Sequence, residues 1–587
     1  MFDEGIGRFD SRFGRRSMLR GAALSISGLA AAALIGCGDD DEDAQQPDAA
    51  STAVATATTA AKTSEDSKYP LNFPEPAGKT PKAGGALVQA VSWDVGPIDP
   101  TVSAAGGSIG PARSVYNRLI GFVAGPQADA FALKLRPELA DRWESAPDGL
   151  THTFKLHPGV KWQNVAPVSG RDFKAADVKF AFDRYAAGGA QKQYFWNVKE
   201  VSAPDDLTVV IKLNGPQPDF LIPLGSRYLT IHPREIVDDG SIGRTAIGTG
   251  PMILKEAKAG TRVFLEKNPD YWERKVMVDS LEHRVIPSAA SRLAAFRAGQ
   301  VEHGISTVAS EKELEALLGT NANTQVTLTP VLNTYFAWAF NLTNPKYQDE
   351  RVRRALSLGI DRATMTTVAL GKLGLAVPSI PWIYLYDKAP TAESGALGKW
   401  WRYAPAEAKQ LLSAAGVSDL SLDLTYTEAY GPAQVQLSEI FTDQLRSVGV
   451  KVNLQSADYT SYNGQWTQVN YPDMLDGWGA NGFDADNFFW NYHHSKAPGN
   501  RYYIRDVEID QWAEAQRREL NPAARKELHQ RIWNKVLDQV YRIDKPYPAG
   551  FDVMQPWLRN IRFTGANLAN YSFTEIGAQI QYAWLDK

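Results

Sequence analysis

The sequence predicts an α/β protein of more than one domain, on three observations. Helix-period and strand-period segments alternate along most of the chain, interrupted by β-rich parts. At 587 residues the chain is too long for one ordinary core, which points to two or three domains. With 44% hydrophobic and 22% charged residues, most of it has the composition of globular bodies. No internal repeat is visible.

The N-terminus reads as an address. Residues 1–20 hold five Arg, and Arg15-Arg16-Ser17-Met18-Leu19-Arg20 resembles a twin-arginine export signal, with Gly14 where that signal more often has Ser or Thr. The Ala-rich, uncharged stretch from Gly21 to Gly36 falls short of the roughly 20 apolar residues a membrane span takes. A basic region followed by a short apolar one reads as a signal peptide over residues 1–36. Leu34-Ile35-Gly36-Cys37 then resembles a bacterial lipobox, which implies cleavage before Cys37 and acylation of its thiol. Two or more acyl chains anchor stably at about 0.8 kcal/mol per buried CH₂. The bland alternative is a lone buried Cys or an uncleaved signal anchor. Cys37 is the one cysteine, so no disulfide forms within the chain.

Residues 37–83 read as the lipidated Cys and a flexible tether. Asp39 to Asp43 is an acidic run, an Ala/Thr/Ser stretch follows, and Tyr69 and Phe73 are the aromatics. Such a segment buries too little apolar area to offset its chain entropy.

The balance of charge excludes a nucleic-acid partner. The formal net charge is −4; without residues 1–36, which carry five Arg and three acids, 57 basic and 63 acidic residues leave −6. No dense Lys/Arg patch stands out.

The body begins at Gly84-Gly85. Ala86 to Val91 reads as a strand, and Pro111 to Leu119 as a helix with Pro in its first turn. Leu150, His152, Phe154 and Leu156 alternate with Thr151, Thr153 and Lys155, a half-buried strand between the turn pairs Asp148-Gly149 and Pro158-Gly159. Lys174 to Tyr185 fits a short helix, and Leu207 to Leu213 a second strand. Ser291 to Ala298 is helical and is stopped by Gly299. Gln434 to Val448 puts Leu437, Phe441, Leu445 and Val448 on one helical face, capped by Gly449, before Val450, Val452 and Leu454 alternate as a strand.

Five blocks in order resemble the family 5 extracytoplasmic solute-binding proteins, the dipeptide- and oligopeptide-binding type. The first runs from Leu135-Arg136-Pro137-Glu138-Leu139-Ala140 through Trp143 and Asp148 to Leu156, Pro158 to Trp162, and Ala175 to Val178. The second is Gly248-Thr249-Gly250-Pro251 with Lys267 to Trp272, and the third Arg351 to Leu356 with Ile360-Asp361-Arg362. Ala406 to Gly416 and Gly477 to Phe488 complete the set. Each is weak alone; their succession over residues 84–560 is specific.

The resemblance implies a two-lobed periplasmic-binding-protein-like fold of type II, with an extra subdomain in lobe I. Lobe I would take 84–125, 245–327 and 552–587, the inserted subdomain 126–244, and lobe II 328–551. It implies a monomer that closes by hinge motion on a peptide or similar oligomeric solute and hands it to the permease subunits of an ABC importer. No cofactor and no catalytic residue is expected.

A cleft between such lobes would draw on chain near the crossovers. The candidates are Trp93 and Asp94 after the first strand, Asn333 and Tyr335 near the first crossover, Tyr430 in a Gly/Pro-containing loop, and Trp478, Asn481 and Asp484 in the Gly-rich segment. A solitary aromatic is more often core than cleft wall; Trp478, between Gly477 and Gly479, is the leading candidate. Peptide binders of the family typically carry an Asp that pairs with the ligand's ammonium where this chain has Asn481, and an amide brings no charge to that contact. Either Asp484 substitutes, or the ligand is neutral, such as an oligosaccharide stacking on the aromatics.

Two other motifs invite a different reading. Gly106-Gly107-Ser108-Ile109-Gly110 matches the nucleophile-elbow pattern of a serine hydrolase, but an elbow needs a strand immediately before the Ser, and the small residues there read as loop. His493-His494 suggests metal, yet adjacent histidines on a strand point to opposite sides and no further ligand lies at metal spacing, so no metal is expected.

Overall fold

The computed structural model describes residues 69–70, 72–73, 78–103, 106–125, 128, 133–304, 308, 310–329, 334–371, 374–375, 384–387, 390, 394–430, 432–480, 485–548, 550–562 and 576–587. Three larger sheets organise them, beside three two-stranded ones. A seven-stranded sheet runs, edge to edge, Gln325–Thr329, Gly550–Met554, His303–Gly304, Ala86–Val91, Ser280–Val285, Arg262–Lys267 and Met252–Lys258. Ala86–Val91 is parallel to both its neighbours, and the outer strands pair antiparallel. The period of two puts Leu87 into the core on one face, and Val88 and Ala90 into the core on the other.

A four-stranded antiparallel sheet runs Ala140–Ser145, Thr151–Leu156, Thr208–Leu213, Val198–Asp205. His152, Phe154 and Leu156 are buried, as their alternation with threonine and lysine predicts. Helix Ala175–Ala187 covers this sheet with Val178, Ala181, Phe182 and Tyr185.

A five-stranded sheet runs Lys451–Ser456, Ser421–Tyr426, Met474–Ala480, Thr334–Phe340, Arg542–Asp544. Its first three strands are parallel and the other two antiparallel to Met474–Ala480 or to each other. Helix Pro432–Ser447 lays Leu437, Phe441 and Leu445 on it, with Phe441 stacked on Trp338 at 4.1 Å between ring centroids. Gly449 follows at φ +89°, a conformation that costs a side-chain-bearing residue about 1 kcal/mol or more.

The chain leaves the seven-stranded sheet after Thr329 and joins the five-stranded one at Thr334. It returns after Asp544, re-entering at Gly550, which pairs with Thr329. The expected lobe limits at 327 and 552 therefore fall inside these two strands.

The expected helix Pro111–Leu119 is displaced: the helix is Gly106–Val115, and the supposed glycine loop is its first half. Pro111 sits mid-helix because the carbonyl it leaves without a partner, Gly107 O, accepts from Gly96 N at 3.3 Å. The helix stops at Val115, whose carbonyl accepts from Gly250 N at 2.8 Å rather than from the next turn. His493 and His494 lie in turns after helix Ala485–Phe489, not on a strand, and both are buried. The end of the expected tether touches the body: Tyr69 meets Phe551 edge-on at 5.3 Å, and Lys79 and Lys82 pair with Asp586.

Candidate functional site

In open α/β sheets, ligands bind outside the carboxyl ends of parallel strands. Here both sheets turn those ends toward the two crossovers. Ala86–Val91, Ser280–Val285 and His303–Gly304 end there on one side, and Ser421–Tyr426 and Met474–Ala480 on the other. The antiparallel connectors Thr334–Phe340 and Gly550–Met554 begin at the same edges.

The expected site residues fall on this edge where they are described. Trp93 follows the first strand, half-buried, with its ring 5.5 Å from that of His283 and against Gly110. Asp94 is exposed, and its Oδ1 accepts from Val95 N and from Gly260 N at 2.7 Å, which pins the loop. Tyr430 precedes helix Pro432–Ser447, with its ring edge-on to Tyr459 at 6.1 Å and Tyr462 at 5.8 Å. Burial pushes the Tyr430 phenol well above its ordinary pKa, so it stays a neutral donor. Tyr335 and Trp478 lie on adjoining strands one register apart, opposite Gly479 and Phe336 respectively. Asn333, Asn481, Asp484, Cys37, Arg15 and Arg16 lie outside the described residues.

Three features escaped the sequence reading. Behind the aromatic corner, Lys545 Nζ lies 2.7 Å from both oxygens of Asp476 and 2.9 Å from Gln434 Oε1. A pocket of about 110 Å³ opens between the four-stranded subdomain and the five-stranded body. Gln193, Tyr194, Trp196 and Gln217 line it from one side, and Asp486, Asn487, Trp490, Asn491 and Arg517 from the other. Burial pushes the Asp486 carboxyl up, although Arg517 beside it pulls the other way. Asp486 and Asn487 belong to the block Gly477 to Phe488, and Tyr194-Phe195-Trp196 is an aromatic run after a Gly-rich turn; those were the available signals. The third feature is the ion pair Asp219–Arg525 across the same interface.

The alternative sites do not assemble. Ser108 is buried inside a helix and donates to Ser103 Oγ at 3.0 Å, with a turn rather than a strand at residues 101–102. His493 Nδ1 lies 2.9 Å from Phe488 O, and His494 Nε2 lies 3.1 Å from Glu514. Among the described residues no cluster of three His, Cys, Asp or Glu has metal-binding geometry.

Residues 134–500 match the sequence model of the bacterial extracellular solute-binding proteins, family 5 middle region. The chain belongs to this family. Family 5 solute-binding proteins are extracytoplasmic transport proteins, not enzymes. This one is 26% identical over 446 residues to the peptide transport periplasmic protein SapA of Salmonella typhimurium, covering 71% of this chain and 78% of SapA. It is 25% identical over 405 residues to the dipeptide-binding protein of Escherichia coli, covering 64% and 73%. The solved structure of DppA from Helicobacter pylori, in complex with peptide STSA, superposes with a TM-score of 0.69 at 21% identity over 86% of this chain and 99% of that one. The fold is thus the two-lobed binding-protein fold of type II. Among the described residues no helix of this family 5 protein is long and apolar enough to cross a membrane.

Proposed function

We propose that this family 5 protein captures a peptide between its two lobes and delivers it to the permease of an ABC importer. The observation that carries the reading is the convergence of the carboxyl ends of both sheets on the two crossovers, with Trp93 following a strand of one sheet and Tyr430 a strand of the other. Aromatic walls with a few polar groups suit a chain of amide units better than a single charged ion. The likeness to SapA, a peptide transport protein, and to the dipeptide-binding protein of Escherichia coli supports the peptide over the oligosaccharide. The proposed site comprises Trp93, Asp94, Asn333, Tyr335, Tyr430, Trp478, Asn481 and Asp484, extended by the pocket at Trp490 and Arg517.

The proposed organisation keeps the expected three parts, with the subdomain as 126–244, and moves the lobe limits expected at 327 and 552 to the two crossovers, so that Thr329 and Gly550 stay with lobe I. Export through residues 1–36 and acylation of Cys37 would moor a monomer at the outer face of the membrane.

The test is a thermal-shift and Trp-emission titration with defined pools of di- to pentapeptides and, separately, of oligosaccharides. A rise in melting temperature with the peptide pools alone supports the reading. A response confined to oligosaccharides replaces it with the sugar-binding alternative, and turnover of any pool that Ser108→Ala abolishes would revive the hydrolase.

A further inference from the structure

The four-stranded subdomain is held to its two neighbours by different kinds of bond. Toward the seven-stranded sheet the links include backbone ones: Gln163 N donates to Gly248 O at 2.9 Å, Ile231 N to Asn117 O at 2.9 Å and Leu139 N to Arg118 O at 3.1 Å. Toward the five-stranded body, no backbone–backbone hydrogen bond crosses among the described residues. The links there run through side chains. Arg525 donates from both terminal nitrogens to the two oxygens of Asp219, at 2.5 Å each, across 306 positions of sequence. Asp219 also accepts from Asp486 N at 3.4 Å. Beside this pair, the Arg517 guanidinium lies 3.7 Å from the Trp196 ring centroid on the subdomain and 4.2 Å from that of Trp490 on the body.

That asymmetry decides what a hinge would separate. A set of backbone bonds makes the subdomain travel with the seven-stranded sheet. Rotation about the crossovers then parts the subdomain from the five-stranded body, along the side-chain contacts. Asp219 and Arg525 are about one-tenth exposed and are not among the residues that line the adjoining pocket. A bidentate guanidinium–carboxylate pair forms in one relative placement of its two carriers and is lost within a few ångströms of displacement.

We propose that Asp219 and Arg525 form a clasp that holds the solute groove shut, setting affinity as positioning residues without touching solute. The proposal rests on the groove reading above. The clasp favours closure only moderately, because both charges regain water when it opens. Its consequence is kinetic: solute leaves only after the pair has parted, so the clasp acts on the off-rate.

The test needs no solute, so it fails or succeeds separately from the peptide reading. Spin labels at Glu200→Cys on the subdomain and Asp443→Cys on the five-stranded body, in a Cys37→Ala background, report the distance between them. Relative to the parent, Asp219→Asn and Arg525→Gln should each lower the closed-to-open ratio about tenfold, the scale of coupling within one ion-pair network. The double variant should fall no further than either single one. Arg525→Lys, which keeps the charge and loses the fork, should fall between parent and Arg525→Gln, and it serves if a neutral variant does not fold. An unchanged ratio in folded single variants overturns the clasp, as does a double variant whose effect is the product of the two.

Discussion

Lys545 and Asp476 form an ion pair inside the five-stranded body, with the ammonium 2.7 Å from both carboxylate oxygens. Both residues are under a tenth exposed, and Ser438 Oγ donates to the same carboxylate at 2.9 Å. Burial pulls the Lys545 ammonium below its ordinary pKa while Asp476 pushes it back up. The pair ties Met474–Ala480 to the chain just beyond Arg542–Asp544, where the second crossover begins.

Lys545→Met leaves the Asp476 charge buried without its partner, and a loss of roughly 3–5 kcal/mol in urea unfolding is expected. Replacing both, as Lys545→Met with Asp476→Leu, should cost less than Lys545→Met alone. A double variant less stable than the single one would mean that the pair is not the source of the loss.

Four buried histidines contribute to the acid limb of stability. Burial lowers His232 and His283 to about 4, and His493 and His529 to about 3, against an ordinary 6.5. Their folded forms are neutral, so below about pH 6.5 the unfolded chain binds more protons than the native one. The stability they contribute is complete above pH 6.5 and is lost as pH falls toward 4, on the order of 1 kcal/mol per pH unit for each. Denaturant midpoints from pH 7.5 to 4.5 check this, and replacing His283 by Gln should flatten the slope. Midpoints that stay level across that range contradict it.

Gly107 is the next test, because helix Gly106–Val115 passes under the loop that carries Trp93 and Asp94. A Cβ at Gly107 would lie 1.8 Å from Asp94 O, a backbone atom that can yield only if the loop moves. Gly107→Ala should destabilise by about 1–3 kcal/mol and weaken solute binding together. Normal binding in a destabilised variant would separate the loop from the site.

Much of the fold was legible where one residue's period decides its neighbourhood. Leu437, Phe441 and Leu445 fall on one helical face, and His152, Phe154 and Leu156 on one strand face, because each spacing leaves a single buried side. The helix at Gly106 was not legible: glycine has poor helix propensity, and what offsets it is contact with residues 94–96, which no local pattern reveals. Of the candidate site, Trp93 and Tyr430 could be placed near the crossovers from the sequence, whereas the pairing of Asp219 with Arg525 could not, since both look like any surface charges until the chain brings them together.

The aromatic walls carry their own expectation. Trp93→Ala and Tyr430→Ala should each weaken peptide binding roughly tenfold or more while the melting temperature of the solute-free protein changes little, since both side chains are only partly buried. Trp-emission titration against the peptide pools reads the first effect and calorimetry the second. Equal affinity in both folded variants removes them from the groove.

The most direct measurement is native mass spectrometry of the purified protein incubated with a tryptic digest of casein. Protein carrying one peptide per chain is expected, with that adduct abolished by Trp93→Ala combined with Tyr430→Ala. Adducts that persist in the double variant, or a protein that takes up none of the peptides, would contradict capture between the two lobes.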